Sequence, residues 1–182
     1  MPFYFQARVA RPAATGWILL KSLLQTIVFW LAFLYFLPVG IYSLENETPL
    51  THWRFDSTVW VAVLLFCLGG TLGLTSTVIM AIRGRGTPLP ADCPRVLVIA
   101  GPYRYIRNPM AVAGLTQGIA VGILLGSPAV IAYAFIGGPI WHYFVRPWEE
   151  RDLERRFKDA YCHYRNAVRC WIPRIRGYQS PD

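Results

Sequence analysis

The chain has 182 residues and a formal net charge of +8, with 54% hydrophobic and only 15% charged residues. That apolar share exceeds what soluble domains carry, and it lies in long runs, so the chain reads as an all-α integral membrane protein. One membrane domain over residues 1–182 leaves no room for a separate soluble catalytic domain, and the positive charge does not indicate nucleic acid. The basic residues sit beside apolar runs, as in juxtamembrane loops facing anionic lipid, and no nucleic-acid-binding module is visible.

The first segment, Met1 to Thr15, carries Arg8 and Arg11 ahead of an apolar stretch, as a signal peptide does. Trp17 to Leu37 is longer than a signal core and no cleavage pattern follows, so a retained transmembrane helix is expected there, stopping at Pro38. Lys21 in its first turn is placed to snorkel to the headgroups. The loop from Ser43 to Ser57 is acidic, with Glu45, Glu47 and Asp56 against Arg54. Asn46-Glu47-Thr48 within it is a weak glycosylation sequon because Pro49 follows.

A second helix is expected over 58–82, where Gly69, Gly70 and Gly73 form a small-residue face that admits a close neighbour. The loop from Arg83 to Asn108 carries five arginines against Asp92. Helices three and four are expected over 109–125 and 128–145. The tight turn Gly126-Ser127 joins them as an antiparallel hairpin, and Gly137-Gly138-Pro139 kinks the second. About 17 residues at 1.5 Å each give about 25 Å, the short limit for crossing a bilayer.

Beyond Val145, an amphipathic interfacial helix is expected over about 148–168. Leu153, Phe157, Tyr161, Tyr164 and Val168 make its apolar stripe, and Arg151, Arg155, Lys158 and Arg165 lie opposite. Trp171-Ile172-Pro173 would then dip toward the membrane. With nine basic and six acidic residues in this tail, the positive-inside rule puts both termini in the cytoplasm after four crossings. A bacterial inner membrane, or otherwise an endomembrane, would be the location. The four cysteines (Cys67, Cys93, Cys162 and Cys170) form no CxxC pair, so neither a disulfide nor a metal site is expected.

Two polar clusters carry the chemistry. Gly101-Pro102-Tyr103-Arg104-Tyr105-Ile106-Arg107-Asn108-Pro109-Met110 runs into helix three, and Arg146-Pro147-Trp148-Glu149-Glu150 follows helix four. A hairpin would bring both to one membrane face. Asn108 and Pro109 also suit the bland role of N-cap and first helical residue. Arg104 and Arg107 equally suit basic anchors, and one glutamate suits the dipole of the following helix. His142 and Arg146 are four apart and share a helix face. No GxGxxG in a βαβ unit, HExxH or Walker loop is present.

Together with the GTPxP loop (Gly86 to Pro90), the Gly126-Ser127-Pro128 turn and a tail containing Tyr161, Tyr164 and Ile172-Pro173, these motifs resemble those of a known group. It is the integral membrane methyltransferases related to isoprenylcysteine carboxyl methyltransferase and phosphatidylethanolamine N-methyltransferase. The resemblance covers Arg83 to Pro173 and implies S-adenosylmethionine as methyl donor. It also implies a hydrophobic or lipid-like acceptor, carboxylate or amine, taken from the bilayer. Carried over by residue, it points to a cofactor site of Tyr103, Arg104, Asn108, Pro109, Met110, Glu149 and Glu150. Arg107, Arg146 and His142 are the catalytic candidates. Asn108 stands where the carboxyl methyltransferases have His, and Ala111 and Ala113 replace the group's usual Tyr and Gly, so the acceptor stays open. Two other functions remain: a non-catalytic protein binding anionic lipid or a partner through its basic loop and tail, and a reductase-like relative using a nicotinamide cofactor.

Overall fold

The protein is described by a computed structural model covering residues 9–47, 56–88 and 92–179. Arg8, Thr48 of the sequon and Pro90 of the GTPxP loop lie outside the described residues. Those residues form helices and no strand: α1 (Thr15–Trp30), α2 (Leu37–Glu45), α3 (Asp56–Gly84), α4 (Pro109–Leu125), α5 (Pro128–Ile140) and α6 (Arg146–Ala167). Three helical stretches are long and apolar enough to cross a membrane, Thr15–Glu45, Thr58–Gly84 and Pro128–Ala167, while Pro109–Leu125 is a shorter apolar helix. The chain divides into two compact units. One comprises Met1–Gln25, Leu74–Arg107 and Glu149–Asp182, and the other Thr26–Gly73 and Asn108–Trp148.

Pro38, expected to end a helix, does not, and Pro147 does not break one either. A π turn, Leu31–Phe36, leads straight into α2 with Pro38 near its start, and a second, Trp141–Val145, leads into α6 with Pro147 near its start. The reason is hydrogen-bond register. Leu37 N–H donates to Ala32 C=O and Arg146 N–H to Trp141 C=O, five residues back in each case. In that wider turn Pro38 would have served the Phe33 carbonyl but has no N–H. The Tyr133 hydroxyl donates to that carbonyl at 3.2 Å instead. The helix thus runs on to Glu45 rather than stopping at Leu37.

In the second unit the hairpin follows from local cap chemistry. Asn108 Oδ1 accepts from Ala111 N–H at 3.1 Å, and Pro109 fills the first helical position of α4. Gly126 ends α4 at φ 64°, and Ser127 caps α5 by accepting from Val130 N–H at 3.1 Å. The glycine face of α3 does admit a close neighbour: a Cβ on Gly69 would sit 2.8 Å from Gln117 Cγ and 3.0 Å from the Ala113 carbonyl.

Glu45 departs from the sequence reading, which left it in an acidic loop. It is buried at the end of α2. Its carboxylate accepts from the Ser127 hydroxyl and from Ala129 N–H, the latter at 3.0 Å, so it extends the cap of α5. Glu45→Ala would orphan both donors and is expected to destabilise the protein by about 1–3 kcal/mol, read as a lower unfolding temperature in detergent. Glu45→Gln, which can still accept one bond, should cost less.

The first unit holds the tail. The stripe residues Tyr161, Tyr164 and Val168 are buried together with Tyr178, and Leu97, Ile99, Leu153 and Phe157 pack against them. The helix carrying the stripe is interrupted, however, because Lys158 has φ 46° and ψ −124°. A periodic sequence pattern does not register one residue leaving helical dihedrals, since the residues on either side keep their facing. Lys21 is held by an ion pair with Asp92 rather than snorkelling alone.

Candidate active site

In the first unit the motif is built around Gly101, which opens a 3₁₀ turn over Gly101–Arg104 with φ 53°. The C-terminal tail then closes on it at Tyr103, Arg104, Tyr105 and Arg107. The Tyr164 hydroxyl donates to the Tyr103 carbonyl at 2.6 Å, and Tyr178 N–H donates to that of Arg104 at 2.8 Å. Arg174 N–H donates to the Tyr105 carbonyl at 2.9 Å, and Arg107 N–H donates to the Arg169 carbonyl at 3.0 Å. Arg104 reinforces the clamp, its Nε donating to the Tyr178 carbonyl at 3.0 Å. Residues on either side of Trp171-Ile172-Pro173 are therefore tied to the motif, while Ile172 itself is exposed. Backbone bonds of this kind leave no mark on residue type, so sequence reasoning had no signal for them.

On this scaffold Arg107 meets the paired glutamates. Its Nη1 lies 2.5 Å from Glu150 Oε1, with both side chains mostly out of solvent at 11% and 19% exposure. Such a bond is charge-assisted and among the stronger kinds. Glu149 is half-buried. Burial first, and then the Glu150 charge, push its carboxyl up to about 7. Two polar atoms at this place are buried without a hydrogen-bond partner among the described residues: the Tyr103 hydroxyl oxygen and Arg107 Nε. Burial, then Tyr164 and Glu149, raise the Tyr103 hydroxyl well above its usual range, so it stays protonated as a donor. Tyr161 is likewise pushed up to about 12, by burial and then by Glu150.

The raised Glu149 has a measurable consequence. Because its folded value exceeds the unfolded one, its contribution to stability is fully present below about 4.5 and is lost as pH rises through about 7. Glu149→Gln removes this titration. The unfolding temperature of the wild type is expected to fall relative to that variant between those limits, in a thermal-melt series across pH.

The remaining sequence candidates lie in the second unit. Asn108 and Pro109 start α4, and the Asn108 side-chain oxygen is engaged in the cap. Met110 follows in the first turn. Arg146 Nη1 sits 3.0 Å from Nε2 and 3.1 Å from Nδ1 of His142, so the guanidinium lies against the imidazole. Among the described residues there is no group of three His, Cys, Asp or Glu suited to a metal ion. All four cysteines are free thiols, and burial raises Cys93 to about 11, which keeps it protonated.

Helices of membrane-spanning length, with a buried cation–carboxylate cluster next to the apolar segments, define an integral membrane protein with a polar site. Residues 57–160 match the phospholipid methyltransferase family, and the chain belongs to that family. It is also similar to the cobalt-zinc-cadmium resistance protein CzcN of Cupriavidus metallidurans, at 28% identity over 135 residues. That alignment covers 71% of this chain, which spans 58% of the relative's length. No solved structure matches.

Proposed function

We propose that this protein is an S-adenosylmethionine-dependent methyltransferase acting on a hydrophobic or lipid-like acceptor at the cytoplasmic face of a membrane that it crosses four times. Membership of a membrane methyltransferase family supports the reaction class. The excess of basic residues in the 83–108 loop and the tail supports cytoplasmic termini. One observation carries the site assignment: two partnerless buried polar atoms, Tyr103 Oη and Arg107 Nε, lie in the unit that also holds the Arg107–Glu150 pair and Glu149. Buried polar groups are satisfied as a rule, so orphans point to a polar ligand.

The donor fits this set. Its sulfonium and ammonium charges suit Glu149 and Glu150, and its ribose hydroxyls and carboxylate suit the Tyr103 hydroxyl and Arg107 Nε. Bound there, S-adenosylmethionine supplies an activated methyl group that transfers by in-line displacement without a metal. The protein's contribution is to hold donor and acceptor in line and to exclude water. Tyr103, Glu149 and Glu150 would bind the donor, and Arg104 would hold the tail over them. Arg107 would orient Glu150.

Arg146 and His142 would serve the acceptor. For a carboxylate acceptor, an arginine such as Arg107 or Arg146 would supply the matching charge. For an amine acceptor, Glu149, titrating near neutrality, or His142 would take the proton. Calorimetry with S-adenosylhomocysteine on detergent-purified protein tests the reading. Saturable binding that is abolished in Glu149→Gln/Glu150→Gln is expected; folded wild type that binds nothing would overturn it.

A further inference from the structure

The first unit also contains a cavity of about 400 Å³, wide open to the surface with Arg83 exposed at its rim, that the proposed reaction does not use. It is lined by Arg83, Ile99, Ala100, Gly101, Arg104, Tyr178 and Gln179. No acidic residue is among them. Arg83 has no hydrogen-bond or ion-pair partner among the described residues. Arg104 uses only its Nε, on the Tyr178 carbonyl, so its terminal nitrogens keep their donors. That bond also fixes the plane of the guanidinium. A third guanidinium, that of Arg174, lies 6.0 Å from the Tyr178 ring, and its Nη1 is buried without a partner. Arg83 and Arg104 thus line the cavity with the buried Tyr178, Arg174 lies against the same ring, and none of the described lining residues is acidic.

We infer that this cavity is a binding site for a phosphate ester, and that its occupant is the headgroup of an anionic phospholipid. Guanidinium groups match phosphate oxygens in paired, planar hydrogen bonds, and Arg83 with the terminal nitrogens of Arg104 offers a fork for it. The volume accommodates a phosphodiester with its glycerol or alcohol substituent. The described lining residues include no carboxylate, imidazole or thiol, and their chemistry is that of anion binding. The lipid source follows from where Arg83 stands: it is the basic residue in the last turn of α3, at the end of an apolar stretch long enough to span a bilayer. Headgroup phosphates lie at that level. Arg83 also complements the negative end of the α3 dipole. That role alone accounts for neither the cavity nor the second and third guanidinium groups. Because Arg104 also clamps the tail over the motif, lipid at this site would report the anionic membrane surface to the fold around Tyr103.

The test uses the full chain in detergent micelles, titrated with phosphatidylglycerol, phosphatidylcholine or inorganic phosphate, with binding followed by native mass spectrometry. Saturable phosphatidylglycerol binding, preferred over phosphatidylcholine, is expected. Arg83→Gln should weaken it about tenfold to a hundredfold, the loss expected for a charged hydrogen bond. Affinity for S-adenosylhomocysteine should not change in that variant, which separates this site from the methyl-transfer site. Arg83→Lys keeps the charge but removes the fork, and should fall between the two; it decides the matter if Arg83→Gln does not fold. Equal phosphatidylglycerol affinity in the wild type and both variants would overturn the proposal. Arg83-dependent binding of inorganic phosphate without a lipid preference would keep the phosphate site and reassign its source to a soluble ester.

Discussion

Arg107→Ala is expected to lower affinity for S-adenosylhomocysteine at least about a hundredfold and to cost about 3–5 kcal/mol of stability, the penalty for breaking a largely buried pair by removing one partner. The cause is Glu150, whose carboxylate is left mostly buried with its 2.5 Å partner gone. Stability and affinity can be separated by removing both charges. In Arg107→Met/Glu150→Met no charge of the pair is left uncompensated, so much of the lost stability should return. If the pair only supports the fold, ligand affinity returns with it. If the pair belongs to the site, affinity stays lost while the melting temperature recovers. Paired calorimetry and thermal melts on the wild type and both variants check this, and recovery of both quantities would remove Arg107 from the site.

What the sequence disclosed depended on how local the physics was. The α4–α5 hairpin was legible because caps are made within a few residues: Asn108 to Ala111, and Ser127 to Val130. The apolar stripe from Leu153 to Val168 was legible because it repeats with the helix. Pro38 misled, because a proline stops a helix only in the ordinary register, and the π turn that precedes it has no residue signature; the same turn type carries the chain through Pro147. Glu45 was invisible for a different reason: its partners Ser127 and Ala129 are 82 and 84 residues away. At the candidate site, the residue types of Arg107, Glu149 and Glu150 were informative, since charges beside apolar segments are costly and call for a partner. The clamp by Tyr164, Arg169, Arg174 and Tyr178 was not, because the bonds end on main-chain atoms of the motif. The unpartnered Tyr103 hydroxyl emerges only once the neighbours are placed.

Gly101→Ala isolates the backbone on which the candidate site rests. The position combines a φ of 53° with a close approach: a Cβ there would fall 2.1 Å from Ile79 Cδ1. The left-handed dihedral alone costs a non-glycine residue roughly 1–2 kcal/mol. The clash adds to this, but its nearest atom is the tip of a side chain that can rotate, and the next contact, Ile79 Cγ1, is at 3.5 Å. A total of about 2–4 kcal/mol is therefore expected, seen as a lower unfolding temperature. Ile79→Ala in the same chain should relieve the clash and leave the dihedral cost, so the two substitutions should be less than additive. Additive losses would mean that Ile79 never meets the new methyl group. The functional effect should follow the dihedral cost rather than the clash. Gly101 opens the turn from which Tyr103 projects, and that turn leads directly to Arg107. If relief of the clash recovers part of the melting temperature but none of the S-adenosylhomocysteine affinity, then the left-handed residue is required to aim the Tyr103 hydroxyl and Arg107, and not merely to make room for α3.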